Sequence, residues 1–455
     1  MGLFPQPLLR YDKQFYKTAM TIGIPIIIEN IIGVSLNMID TLMIGRLGEF
    51  PLAAVGAANR VSFIFIMICF GFFSGSSVLV SQYWGIKDVA NIRRILGFDY
   101  AYSLAVSLIF MLLAQFLAPQ LLGLFADEPE VIADGVAYLE IVYWSFPLSA
   151  ISFAIAFNSR CIHRLIVPTV INALALGANT FLNWCLIYGN LGMPEWGVKG
   201  AAVATVIARL LEMLALLGYI YLTKGHPLGA KLHELIGWSR ALLKHIFITA
   251  LPVLISETAW SLGTSIYYVA YGKIGASALA VVQVAGVVND LFSALFFGIG
   301  NASAVMIGNV LGQGNKELAF DYSKTFLKMT LFVCVITSLG FLFSRNLIID
   351  MYDFSAETNL TMYKTFFVYA VFITPRMLTY MLFIGVLRAG GDTKFCMICD
   401  LLCVWCIGIP LSFFSVLVLH WSLPMVMALS FLEEVVKTVI CLKRMRSKKW
   451  LNVLV

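Results

Sequence analysis

Acidic and amide side chains recur inside long apolar stretches of this chain, at spacings that gather them on common helix faces. On the first stretch Glu29 and Asp40 are eleven residues apart, about three helical turns and about 20° around the axis, with Asn37 on the same side. A carboxylate surrounded by hydrocarbon has few options: it pairs with a cation, binds a small ion, or takes up a proton. Asn172, Asn179 and Asn183 follow at spacings of seven and four, again one face. Their amide oxygens suit a hard cation, and their amide nitrogens suit Asp40. Thr205, Arg209 and Glu212 stand four and three apart, so Arg209 and Glu212 are expected to form a structural charge pair across one turn.

The elements that must position these groups are membrane helices. The 455 residues are 60% hydrophobic and 12% charged, against about 25% charged in an ordinary soluble domain. Apolar runs of roughly 20 residues, the length that crosses about 30 Å of hydrocarbon, recur along the whole chain. Twelve spans are expected, near 19–44, 52–83, 97–123, 135–159, 165–189, 197–222, 245–271, 278–311, 324–344, 362–387, 395–418 and 422–442. Cations concentrate in the even-numbered gaps and at both ends, from Arg10, Lys13 and Lys17 to the run between Lys443 and Lys449. Acids such as Asp127, Glu128, Asp350 and Asp353 fall in the odd-numbered gaps. By the positive-inside rule both termini are expected in the cytoplasm. The gap from Thr223 to Lys244 carries Leu232, Leu235, Ile236 and Trp238 at amphipathic spacing, which predicts a helix lying on the cytoplasmic surface.

The chain also repeats. Laying Pro25 on Pro252 brings Gly45 onto Gly272, Gly48 onto Gly275, Gly71 onto Gly298, Ser76 onto Ser303 and Gly85 onto Gly312 without a gap. One residue further on, Arg160 falls on Arg388. The predicted fold class is therefore an all-α integral membrane protein, its twelve helices forming two six-helix bundles related by a pseudo-twofold axis along the membrane normal. The expected organisation is an N-terminal lobe at 1–222, a linker with the interfacial helix at 223–244, a C-terminal lobe at 245–442 and a basic cytoplasmic tail at 443–455. In the same register Glu257 matches Asn30, and Tyr267 stands where the first half has Asp40. The halves are thus expected to be chemically unequal, with Glu257, Glu29, Asn37 and Tyr267 as contacts for a substrate or second ion. Arg60, Asp290, Arg376 and Asp400 are further charges within the spans, read as buried or half-buried.

Other classes lack their marks. Nucleic-acid binding is not expected, since the net charge of +6 lies in short loops rather than on one face. Cys396, Cys399, Cys403 and Cys406 look metal-like, yet they trace a helix stripe over about 15 Å, whereas zinc needs four thiolates about 2.3 Å from one point. No metal site and no enzymatic activity are expected, because the P-loop, H-E-x-x-H and G-x-S-x-G signatures are absent. A channel would require a pore-lining ring built by oligomerisation, whereas a monomer is expected here.

The residues from Pro25 through Asp40, Thr41 and Gly45, then Gly85, Asn179 to Tyr188, Gly197 to Thr205, and Leu387 to Thr393 resemble the multidrug and toxic compound extrusion transporters, in their bacterial form. That resemblance spans nearly the whole chain. It implies a secondary active antiporter of the bacterial inner membrane that exports cationic or amphipathic small molecules by alternating access. Inward proton or sodium flow supplies the drive, and no cofactor is needed beyond that ion. Asp40, Asn179, Asn183 and Thr205 match the family's ion-coupling positions, and Glu257 resembles an acid of the seventh helix. Some members have Asp where this chain has Asn183, and the family's tenth-helix acid is here Met377, beside Arg376. A lipid-linked saccharide flippase of the same superfamily is the alternative, and it would want a cavity rich in Arg and Lys to hold a diphosphate.

Overall fold

The computed structural model describes residues 13–123, 129–350 and 355–454. Arg10, Asp127, Glu128 and Asp353 of the charge pattern lie outside the described residues. Within them the chain is helical, with no strand. The first set of helices is α1 (Lys13–Gly45), α2 (Glu49–Gly85), α3 (Val89–Leu122), α4 (Pro129–Val142), α5 (Ser145–Cys161), α6 (Ile166–Tyr188) and α7 (Gly197–Leu222). A short α8 (Leu232–Ile236) leads to the second set: α9 (Arg240–Gly272), α10 (Ala276–Gly312), α11 (Lys316–Ile349), α12 (Ala356–Tyr380), α13 (Thr393–Cys403), α14 (Ile409–Leu417), α15 (Leu423–Ser430) and α16 (Leu432–Arg446). A π-helical stretch, Met381–Arg388, continues α12, and a second, Val404–Gly408, joins α13 to α14.

Ten of these helices are long and apolar enough to cross a bilayer, and the pair α4 and α5, bent by 53°, makes eleven. The bend falls just before Pro147, which has no N–H to return to the carbonyl one turn back. The twelfth span is α15 with α16; it misses the apolar standard because Glu433, Glu434 and Lys437 stand within it. Twelve spanning segments thus fall into two bundles of six.

The duplication reaches the backbone itself. Asp88 caps α3 by accepting from Asn91 N at 3.1 Å, and Asn315 caps α11 by accepting from Leu318 N at 3.0 Å. Left-handed residues recur in register: Gly48 and Gly275, Lys87 and Gly314, His163 and Gly391, Gly192 and His420. The matched glycines Gly85 and Gly312 have a shared steric reason. A Cβ on Gly85 would overlap the Asn309 carbonyl, and one on Gly312 would overlap the Gln82 carbonyl. Since Gln82 and Asn309 are themselves repeat partners, the C-terminal ends of α2 and α10 cross reciprocally.

The chain divides into two compact units: Ile28–Val80 with Lys87–Phe247, and Met1–Ile27 with Ser81–Ile86 and Ile248–Val455. In the latter, aromatic and aliphatic side chains such as Phe296, Phe341, Phe366 and Met362 form a buried core. The basic segment after α16 is not a free tail. Trp450 is fully buried and donates Nε1–H to Met445 O at 3.0 Å, and Gln82 is bonded to Asn452 O at 3.1 Å and Leu454 N at 2.7 Å.

The expected interfacial helix shortens to the five residues of α8. It is held to α3 rather than extended: Arg93 pairs with Glu234 at 2.7 Å, Trp238 Nε1–H donates to Arg94 O at 3.0 Å, and a Cβ on Gly97 would overlap Leu235. Hydrogen bonding from Lys231 N, reinforced by Arg93, holds the Glu234 carboxyl below its ordinary range. Before α8, His226 is buried, edge-on to Tyr219, with Nδ1 accepting from Leu228 N at 3.2 Å. Burial, then the Arg164 charge, pushes His226 down to about 4, and burial with Lys87 does the same to His163.

Two predictions follow from this packing. Both histidines fold neutral and become charged in the unfolded chain below about 6.5. Their contribution is therefore complete above that pH and is lost as pH falls toward about 4. Thermal unfolding in detergent should show the melting temperature dropping through that window, with a shallower drop in His226→Gln. Gly312→Ala should destabilise the protein by about 1–3 kcal/mol through overpacking, whereas Gly177→Ala on α6, with nothing within 4 Å, should leave its melting temperature unchanged or raised.

Candidate functional site

Asp40 lies near the C-terminal end of α1 and is partly buried. Its Oδ1 accepts from Thr180 Oγ1 and from Asn183 Nδ2, both at 3.1 Å. The Asn179 amide is satisfied with its nitrogen toward Asp40 Oδ2 at 3.0 Å and its oxygen toward Thr205 N at 3.2 Å. Tyr138 of α4 reaches the Thr205 hydroxyl. Asp40, Asn179, Asn183 and Thr205 are thus brought together, and every direct partner of the carboxylate is a neutral donor. Arg209 acts on it through space but spends its own hydrogen bond on Glu212 at 2.7 Å. That pair lies across one turn of α7, where the spacing put it.

Glu29 uses the same face of α1 one site nearer its N-terminal end. Its carboxylate accepts from Arg160 Nη2 at 3.2 Å, Thr169 Oγ1 at 3.3 Å and Asn172 Nδ2 at 3.1 Å. The amide stripe of α6 therefore serves both acids of α1, Asn172 at Glu29 and Asn179 with Asn183 at Asp40. The side chain of Asn37, expected between them, lies outside the described residues.

In the second half Glu257 accepts from Arg388 Nη1 at 2.5 Å. The Arg160–Glu29 and Arg388–Glu257 pairs each span 131 residues, so they are the same interaction made twice. The gapless overlay that laid Glu257 on Asn30 conceals this, because the register slips by one residue before the arginines. A long guanidinium arm absorbs the slip, and Ser256, which the overlay lays on Glu29, also accepts from Arg388, at 3.3 Å. Tyr267 donates to Glu433 Oε2 at 2.7 Å.

The charges without evident partners now have neighbours. Asp400 accepts from Ser256 Oγ and from Lys437 Nζ, both at 3.0 Å. Arg376 donates to Asn289 at 3.2 Å and covers the Phe431 ring, and Asn289 donates to Asp290 at 3.3 Å. Arg60 is exposed rather than buried or half-buried. Cys396, Cys399 and Cys403 are buried and Cys406 is exposed.

Sequence reasoning missed two groups. Asp99 of α3 is wholly buried, its Oδ2 accepting from Asn158 Nδ2 at 2.8 Å. The stripe Asp99, Ser103, Ser107 at spacings of four was the available signal. Glu433 and Lys437 on α16, also four apart, were concealed because the span was read for its hydropathy alone.

With this geometry in view, the comparisons decide the family. The MatE sequence profile matches residues 25–185 and again 252–414. The chain belongs to the MatE family. Each match begins at one of the two repeat prolines, Pro25 and Pro252. The chain is 25% identical over 455 residues to the uncharacterized transporter YisQ of Bacillus subtilis, covering 97% of this chain and 96% of that one. It is 24% identical to the multidrug resistance protein PmpM of Pseudomonas aeruginosa, covering 87% and 83%. Among solved structures, an outward-facing multidrug resistance MATE family transporter of the MOP superfamily superposes with a TM-score of 0.83 at 19% identity, covering 97% and 98%. A MOP superfamily transporter from Pyrococcus furiosus gives 0.84 at 17% over 97% and 98%. The fold is that of a twelve-helix, multi-span membrane transporter and not of an enzyme.

The Glu257–Arg388 pair is 12% and 5% exposed, so removing one partner strands a charge. Arg388→Met should destabilise the protein by about 3–5 kcal/mol, read as a fall in detergent melting temperature. Pairing it with Glu257→Gln should recover most of that loss; a double variant whose loss equals the sum of the two single losses would mean the two side chains act independently.

Proposed function

We propose that this chain is a secondary active antiporter that exports cationic or amphipathic small molecules by alternating access, driven by inward flow of protons or sodium ions. In this reading it sits in the inner membrane with both termini cytoplasmic and works as a monomer. The observation that carries it is the setting of Asp40: a carboxylate within an apolar span, held by the neutral donors Thr180, Asn183 and Asn179. Such an acid has no fixed cation against it and is open to a mobile partner. A proton or sodium ion and a cationic substrate compete for it, and that competition is what couples their opposite movements. Glu257, Glu29 and the tyrosine at Asp40's repeat position supply second contacts. Relatives named as multidrug resistance proteins support the substrate class.

The flippase reading is disfavoured by the pairing of the interior cations. Arg160, Arg209, Arg388 and Lys437 each face a carboxylate within 3.2 Å, leaving them committed rather than gathered around a diphosphate.

The test is efflux of a fluorescent cation from proteoliposomes under imposed proton or sodium gradients. One gradient should drive efflux, Asp40→Asn should abolish it while the protein keeps its melting temperature, and Glu257→Gln should weaken it. No dye movement under either gradient would sink the exporter reading.

A further inference from the structure

The second half carries an unbroken polar chain through its interior. It runs from Glu257 to Arg388, to Ser256, to Asp400, to Lys437, to Glu433 and to Tyr267, with hydrogen-bond and ion-pair distances from 2.5 to 3.6 Å. Glu434 joins it through Lys437 at 3.7 Å. The chain begins and ends on α9, ten residues apart, about 15 Å along the axis.

Its place in the repeat is informative. In the register that lays Arg160 on Arg388, Asn172 falls on Asp400, Thr205 on Glu433, Arg209 on Lys437 and Thr180 on Gly408. Thr180 and Thr205 belong to the surroundings of Asp40, Arg209 acts on it through space and Asn172 serves Glu29, while Asp40's own counterpart is Tyr267. The carboxylate has been transposed: lost from the first helix of the half, it reappears on the sixth. Gly408 makes the exchange possible, because a Cβ there would overlap both the Tyr267 hydroxyl and Glu433 Oε2. One node of the repeat thus holds an acid in both halves, on different helices.

The charges of the chain do not balance. Glu257, Asp400, Glu433 and Glu434 face only Arg388 and Lys437. Arg376 does not redress this, being engaged with Asn289 and the Phe431 ring. The other titratable groups facing Glu433 are Tyr267 and Tyr271 of α9 and Cys403 of α13, none of which brings a positive charge. Excess negative charge within hydrocarbon is costly. Two polar atoms also lack a partner among the described residues, Glu434 Oε2 and Arg388 Nε, the latter on a side chain 5% exposed. A metal cation is a poor remedy, since the Lys437 ammonium already occupies the centre that three carboxylates share. Asp400 and Glu257 each have a short, charge-assisted contact, at 3.0 Å to Lys437 and 2.5 Å to Arg388. Glu433 meets Lys437 only at 3.6 Å and is 8% exposed.

We propose that Glu433 holds an exchangeable proton, so that the transporter carries one proton-binding carboxylate at the same repeat node in each half. The use of that proton in transport rests on the antiporter reading, but its presence does not. The test is infrared difference spectroscopy of the purified protein between acid and alkaline pH, in water and in deuterium oxide. Wild type should show a protonated-carboxylic-acid band that shifts on deuteration, disappears in Glu433→Gln and survives in Asp40→Asn and Glu434→Gln. Should Glu433→Gln fail to fold, Glu433→Asp must move the band in frequency. A spectrum unchanged by either Glu433 variant, or a band lost only with Glu434 or Asp40, overturns the proposal. Dye efflux separates the two readings: a Glu433 band without gradient-driven transport leaves this site standing and sinks the exporter. Transport lost in Asp40→Asn without a Glu433 band does the reverse.

Discussion

Charge placed in hydrocarbon must be answered from within the chain, and that constraint organises this protein more than its apolar surface does. Lipid-facing residues are nearly interchangeable, since one aliphatic side chain meets lipid as well as another. The interior carboxylates are not interchangeable. Several have drawn a particular cation from another helix: Arg160 to Glu29, Arg388 to Glu257, Lys437 to Asp400. Asp40 and Asp99 instead meet hydroxyl or amide donors, and a carboxylate in a membrane without a fixed cation is a place for a mobile charge to enter.

Much of this was legible in the sequence because membrane physics is severe. Run length gave the spans, and the constant overlay of Pro25 on Pro252 gave the two bundles. The stripe of Asn172, Asn179 and Asn183 was readable as a face, and it faces the two acids of α1. The less legible features have separate causes. Glu257 looked unmatched because the overlay fixes Cα register, whereas an arginine spans a one-residue slip with its own length. Glu433 and Lys437 were hidden by the averaging inherent in hydropathy, which treats four apolar neighbours and a charge pair as a moderately apolar window. Asp99 escaped because its partner, Asn158, lies on a helix far along the chain.

The two halves illustrate what duplication preserves and what it releases. Caps, left-handed turn residues and the arginine–glutamate pair are kept because each satisfies a local demand that both copies face. The node around Asp40 and Glu433 has diverged while retaining an acid. A site defined by the meeting of three helices can pass its carboxylate from one helix to another, provided that a small residue such as Gly408 opens the space.

The reciprocal crossing of Gly85 on Asn309 and Gly312 on Gln82 has a consequence for assembly. A contact in which position i meets j and j meets i is isologous, the geometry of a twofold-symmetric homodimer. Two separate copies of such a six-helix half would match each other through this patch, so joining them in one chain makes a concentration-dependent association intramolecular without a new contact.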